Sequence, residues 1–135
     1  LEISREMGDR KGEGWTLHNL GRVCYAQKKN DDAWEYFKQA WTIRNKIGDR
    51  RGIGWTLHNI GMLSLEQCSY KEALASLLLA KRIFEEVQSP DSERAQGSID
   101  TLRKKLGKDR FIDLLQDVEP QASQIVEQTL RSEAQ

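Results

Sequence analysis

The chain has 135 residues, 21 Lys+Arg against 21 Asp+Glu, and 38% of it is hydrophobic. That length predicts one domain, and periodic apolar residues at this density exclude a disordered chain. Balanced charge excludes a dedicated nucleic-acid binder, which needs clustered Lys and Arg, and no apolar run reaches the roughly 20 residues that cross a bilayer.

Shifted by 40 residues, the chain finds itself. Gly8-Asp9-Arg10 falls on Gly48-Asp49-Arg50, and Trp15-Thr16-Leu17-His18-Asn19 on Trp55-Thr56-Leu57-His58-Asn59. Gly21, Ala33, Ala40 and Ile43 return as Gly61, Ala73, Ala80 and Ile83. Such a period is the signature of a repeat array.

The first predicted element, over 1–8, is the end of a preceding repeat's helix. Leu1, Ile3 and Met7 sit where Trp41, Ile43 and Ile47 sit one period later, so the chain is expected to open inside an earlier repeat with a bare apolar face. Repeat 1 spans 9–48, with helices at about 9–27 and 31–47 from the three- and four-residue spacing. Repeat 2 spans 49–88, with helices at about 49–67 and 70–87. Gly48 is expected to close one helix in the left-handed conformation and Asp49 to cap the next, while Ser69 and Glu72 form a capping-box pattern. Mid-helix Gly21 and Gly61 mark a close helix crossing, with Ala33 and Ala73 as the apposed positions and Leu17, Leu20, Leu57 and Ile60 facing the partner helix. After Val87 the register decays. Ser89-Pro90-Asp91 starts a helix carrying Ala95, Ile99, Leu102 and Leu106, and Phe111 to Val118 form a second, which together read as a degenerate repeat over 89–118. From Pro120 the span 119–135 reads as a capping helix, because an uncapped repeat exposes its apolar face.

The pattern Leu17, Leu20, Gly21, Tyr25, Ala33, Phe37, Ala40, repeated as Leu57, Ile60, Gly61, Leu65, Ala73, Leu77, Ala80, is similar to the tetratricopeptide repeat. The usual period is 34, and the longer one here resembles the type found in spindle-polarity adaptors, kinesin light chains and the arrays of bacterial STAND/NB-ARC signalling NTPases. The resemblance implies an all-α fold, an αα-superhelix of helical hairpins. It implies a protein-interaction scaffold in a larger, bacterial signalling protein, binding a protein or peptide in its concave groove.

The groove candidates are Trp15, His18, Asn19 and Arg22 in repeat 1, and Trp55, His58, Asn59 and Met62 in repeat 2. Asn19 and Asn59 resemble the family's asparagine ladder, whose amides can donate to and accept from a peptide main chain. Two readings stand for Trp15 and Trp55: peptide anchors or packing between repeats. A carboxylate clamp fits poorly, because Arg22 is the one groove cation in this reading.

No phosphate-binding loop, HExxH or nucleophile elbow is present, so no enzyme is expected, nor any cofactor. Cys24 and Cys68 lack CxxC spacing, and His18 and His58 lack neighbouring ligands, so no metal site is expected. Reduced cysteines and no signal-like start indicate a cytoplasmic location. The expected partners are thus protein or peptide, with no nucleic acid and no membrane. Self-association through the N-terminal face, or service as a sensor arm of a nucleotide-switch protein, are the alternatives.

Overall fold

A computed structural model describes the backbone of residues 2–132 and the side chains of residues 8–131. The α-helices in chain order are α1 (Glu2–Ala26), α2 (Asn30–Ile47), α3 (Arg50–Glu66), α4 (Tyr70–Glu86), α5 (Asp91–Leu106), α6 (Lys108–Val118) and α7 (Ala122–Ser132), with a 3₁₀ turn at Glu119–Gln121 before the last. α1 packs on α2 and α3 on α4 as antiparallel hairpins, while α1, α3 and α5 lie side by side as a layer of first helices. The fold is an all-α helical-hairpin solenoid, and among the described residues no helix is long and apolar enough to cross a membrane.

Left-handed residues end the first four helices at Lys28 (φ 60°), Gly48 (72°), Cys68 (61°) and Gln88 (56°). After each, the next backbone N–H reaches back over the helix end: Lys29 to Cys24 O at 2.8 Å, Asp49 to Arg44 O at 2.9 Å, Ser69 to Ser64 O at 2.9 Å, Ser89 to Phe84 O at 2.8 Å. This bond closes a helix on a left-handed residue and fixes the angle at which the chain leaves. The turn is therefore spaced every half repeat, although the sequence shows glycine at only one of the four positions. Asp49 caps α3 as expected, accepting from Gly52 N at 3.2 Å. Ser69 makes no side-chain cap bond, so the Ser69–Glu72 capping box does not form; the turn bond from Ser69 N already sets the start of α4.

The expected boundary near residue 9 does not appear, since α1 runs unbroken through Gly8-Asp9. The same Gly-Asp pair turns the chain at Gly48-Asp49, where α2 must reverse to bring α3 against it. A glycine inside a helix costs only about 1 kcal/mol relative to alanine. The pair breaks a helix where tertiary packing favours the turn. The expected bare face of Leu1, Ile3 and Met7 lies outside the described side chains.

Both packing glycines lie at close crossings, but the apposed side chains differ from those expected. A Cβ on Gly21 would come within 2.6 Å of the Phe37 ring, and one on Gly61 within 2.7 Å of Leu77 Cγ. Ala33 and Ala73 are fully buried nearby, but Phe37 and Leu77, one turn further along α2 and α4, fill the space. Leu20 and Val23 are 41% and 53% exposed, whereas their counterparts Ile60 and Leu63 are buried. Leu20 and Ile60 are among the residues expected to face the partner helix. Instead this side of α3 is the one covered by the preceding hairpin, and on α1 it is bare.

At the C-terminal end, α5 and α6 pack beside α4. The two helices expected to begin at Pro90 and Pro120 begin slightly later: Pro90 stands one position before α5, and Pro120 lies within the 3₁₀ turn that precedes α7. α7 packs back along α4. Arg82 Nη2 donates to Glu119 O at 3.1 Å, and the Arg131 guanidinium lies 5.8 Å from the Trp41 ring centre. The last helix thus packs on the layer of second helices, and Leu74, Leu77, Ala80 and Phe84 of α4 are buried.

Candidate functional site

The repeated Trp-Thr-Leu-His-Asn block projects from α1 and α3 into one continuous cluster. Trp15 and Trp55 lie with ring centres 5.4 Å apart, and Trp15 stacks on His18 at 5.5 Å with the planes nearly parallel. They border a cavity of about 330 Å³ between the first helices, with Arg22, His58, Asn59 and Arg94 on its wall. Six of the eight expected groove residues, Trp15, His18, Arg22, Trp55, His58 and Asn59, come together here. Asn19 is exposed on α1, and Met62 is half-buried against the core; neither lines the cavity.

His18 is withdrawn from the surface, at 2% exposure. Arg44 Nη1 donates to His18 Nδ1 at 3.2 Å, and the Asn59 side-chain nitrogen lies 3.3 Å from Nε2. Burial, then the charges of Arg44 and Arg22, push the His18 pKa down to about 4. His18 therefore supports the cluster from beneath. Asn59 departs from the ladder reading for a similar reason: its Nδ2 donates to the Trp55 carbonyl at 3.0 Å, which leaves the amide oxygen as the group open to a ligand.

One period later the pattern returns with different chemistry. His58 Nε2 pairs with Ser98 Oγ at 2.9 Å, and its pKa is lowered by burial and by Arg94, with Asp91 opposing. Trp55 Nε1 donates to Asp91 Oδ2 at 2.8 Å, and Asp91 also accepts from Ser89 Oγ at 3.1 Å. Trp55 is thus tied into the junction with α5. Trp15 remains 43% exposed and has no such tie. The two tryptophans thus pack on each other across the repeats but differ in exposure and in indole partner.

Arg44, in the last turn of α2, is the residue that sequence reasoning missed. Its side chain is 2% exposed, and Nη1 also donates to Thr56 Oγ1 at 2.9 Å and Gly52 O at 3.0 Å. It lies under Trp15, the guanidinium 5.5 Å from the ring centre. A Cβ on Gly52 would come within 2.8 Å of Arg44, so glycine there lets the side chain pass between α2 and α3. A signal existed: the 40-residue shift sets Arg44 opposite Phe84, a buried core residue, so the position is a pocket that holds a cation in one repeat and a ring in the other. Asp91 and Arg94 were equally hidden, because they come from the decayed third unit.

Around this cluster the described residues bring together aromatic faces, amides and guanidinium groups, a surface suited to holding a polypeptide. No group of three His, Cys, Asp or Glu converges among them as a metal site would need. No curated protein and no solved structure matches the chain significantly. A family model described as tetratricopeptide repeat matches residues 13–86, which takes in the second half of α1 and all of α2, α3 and α4, more than half of the chain. The chain belongs to the tetratricopeptide repeat family, whose repeats generally mediate protein–protein interaction.

Proposed function

We propose that the face formed by α1, α3 and α5 binds an extended segment of a partner protein. The cavity of about 330 Å³ that gathers Trp15, Arg22 and His58 carries this reading. Trp15 supplies an exposed aromatic surface, Arg22 a solvent-facing cation and Asn59 a free amide oxygen, while His18 and Arg44 hold the cluster rigid from below. Aromatic and arginine side chains of this kind are those most often found to dominate binding energy at interfaces. Peptides selected from a random display library against the immobilised chain test the reading. Trp15→Ala and Arg22→Ala are each expected to weaken the selected peptides at least about tenfold, and Arg22→Ala, at an exposed position, to do so with the thermal melt unchanged. Peptides that bind both variants as tightly as the parent would place the site elsewhere.

The bare Leu20–Val23 side of α1 favours a second reading, association with another copy of the chain through this face. Sedimentation at several concentrations separates the two, since a strict monomer at high concentration removes the second and leaves the first standing.

A further inference from the structure

A second and larger cavity, of about 880 Å³, opens at the junction of the two repeats, between α1, the Gly48-Asp49 turn and the end of α4. Lys11, Arg44 and Arg51 line it together with the apolar Ile47, Trp55 and Val87. Arg44 is the unusual member. Its side chain is 2% exposed, yet Nε has no hydrogen-bond partner, and Asp49 Oδ2 lies 3.9 Å away, beyond hydrogen-bond reach. A buried cation with an unused N–H at the base of an open cavity is an incomplete pair.

The second junction, where Phe84 stands in the place of Arg44, holds a carboxylate against the indole. There the carboxylate of Asp91 accepts from the indole Nε1 of Trp55 at 2.8 Å. Translate that arrangement back by one 40-residue period and Trp55 becomes Trp15, while Asp91 becomes Arg51. The first junction thus repeats the indole but holds a cation where the second holds its own carboxylate. Nothing within it supplies a hydrogen bond to Trp15 Nε1 among the described contacts. Asp49 does not take this part, because its other oxygen is bound to Gly52 N as the cap of α3.

We propose that this cavity is a subsite for an acidic side chain of the bound segment. The incoming carboxylate occupies the place that Asp91 holds one repeat later, accepting from Trp15 Nε1, with Arg51 and Lys11 flanking and the buried Arg44 guanidinium behind it. An apolar neighbour in the same segment rests on Ile47, Trp55 and Val87. The inference rests on the segment-binding reading above and names the chemistry that the segment must carry: an acidic residue beside an aliphatic one.

The probes are acetyl-Glu-Leu-Glu-Leu-Glu-amide, its counterpart with every Glu replaced by Gln, and inorganic phosphate. Each is titrated into the full chain, following the Arg44 Nε–H and Trp15 indole N–H resonances. The Glu peptide is expected to move both resonances saturably, with an affinity that falls as salt rises. The Gln peptide should bind about tenfold weaker or less, since charge-assisted bonds are the stronger kind. Phosphate moving the same resonances as tightly as the Glu peptide would overturn the assignment to a carboxylate side chain. Arg51→Asp is the decisive variant, because it places a carboxylate where Asp91 stands in the next repeat. It should shift the Trp15 indole resonance in the free protein and abolish binding of the Glu peptide, whereas Arg51→Gln should only weaken that binding. Equal binding of Glu and Gln peptides would overturn the acidic subsite and leave the segment-binding reading intact. Failure of the Glu peptide to move either resonance at millimolar concentration would also overturn the subsite, while library-selected peptides still test the broader reading separately.

Discussion

Acid should loosen this fold through one residue, His18. Its ring is buried with Arg44 Nη1 3.2 Å from Nδ1, so protonation would place a second cation against a guanidinium that has no room to move away. The folded pKa of about 4 lies below the 6.5 of an unfolded histidine. A depressed folded pKa means the neutral form is the one compatible with folding, so the contribution is fully present above pH 6.5 and is lost as pH falls toward 4. Linkage over that window gives a loss of about 2 kcal/mol by pH 5 and about 3 kcal/mol by pH 4. For a chain of this size the loss at pH 5 corresponds to a drop on the order of 8 °C in Tm. Burial lowers the His58 pKa as well, so the informative quantity is a difference between proteins. His18→Gln retains an acceptor for Arg44 and cannot be protonated. Urea melts of both proteins from pH 7.5 to pH 5 should show the parent losing about 2 kcal/mol more than the variant. Parallel curves would refute the assignment of acid sensitivity to the His18–Arg44 contact.

Other consequences follow from the turns, the crossings and the junctions. Cys68 and Gln88 hold left-handed conformations that cost a non-glycine residue roughly 1 kcal/mol, so Cys68→Gly and Gln88→Gly should each raise the urea midpoint; a lower midpoint would contradict the turn geometry. Gly61→Ala drives a methyl into Leu77 and should destabilise by about 1–3 kcal/mol in the same assay, whereas Gly97→Ala, in open space on α5, should be neutral or stabilising. Phe84→Ala empties the core position that Gly54 and the second hairpin close over, and calorimetry should register a loss of about 3–5 kcal/mol. Asp91→Asn weakens the acceptor of the Trp55 indole, so Trp55 Nε1–H should exchange with solvent faster while the Trp15 signal stays unchanged.

How far the residues alone could carry the reading depends on which kind of position is asked about. Gly48-Asp49 was legible because glycine and a cap aspartate act within one turn, through φ and a single local hydrogen bond. Lys28, Cys68 and Gln88 make the same turn without a local marker; only the packing of consecutive helices forces their backbones left-handed. The candidate site divides in the same way. Trp15, His18, Trp55, His58 and Asn59 were found because repetition points to them, but repetition says nothing about depth. His18 and Asn59 are engaged inside the protein, with Arg44 and with the Trp55 carbonyl, because neighbouring hairpins bring those partners to them.

What the sequence determined by itself is the period, and with it the helical hairpin, the packing glycines and the family. These follow from apolar spacing and side-chain size, which are properties of a segment and its copy. Only the tertiary structure decided that Phe37 and Leu77 fill the crossings, that α1 runs through the Gly8-Asp9 pair, and that α7 lies along α4. It alone set the buried Arg44 beneath Trp15 and gave Trp55, but not Trp15, a carboxylate partner. Those outcomes depend on residues well separated in the sequence meeting across helices, where the energy of a contact lies in its partner and leaves no mark on either residue.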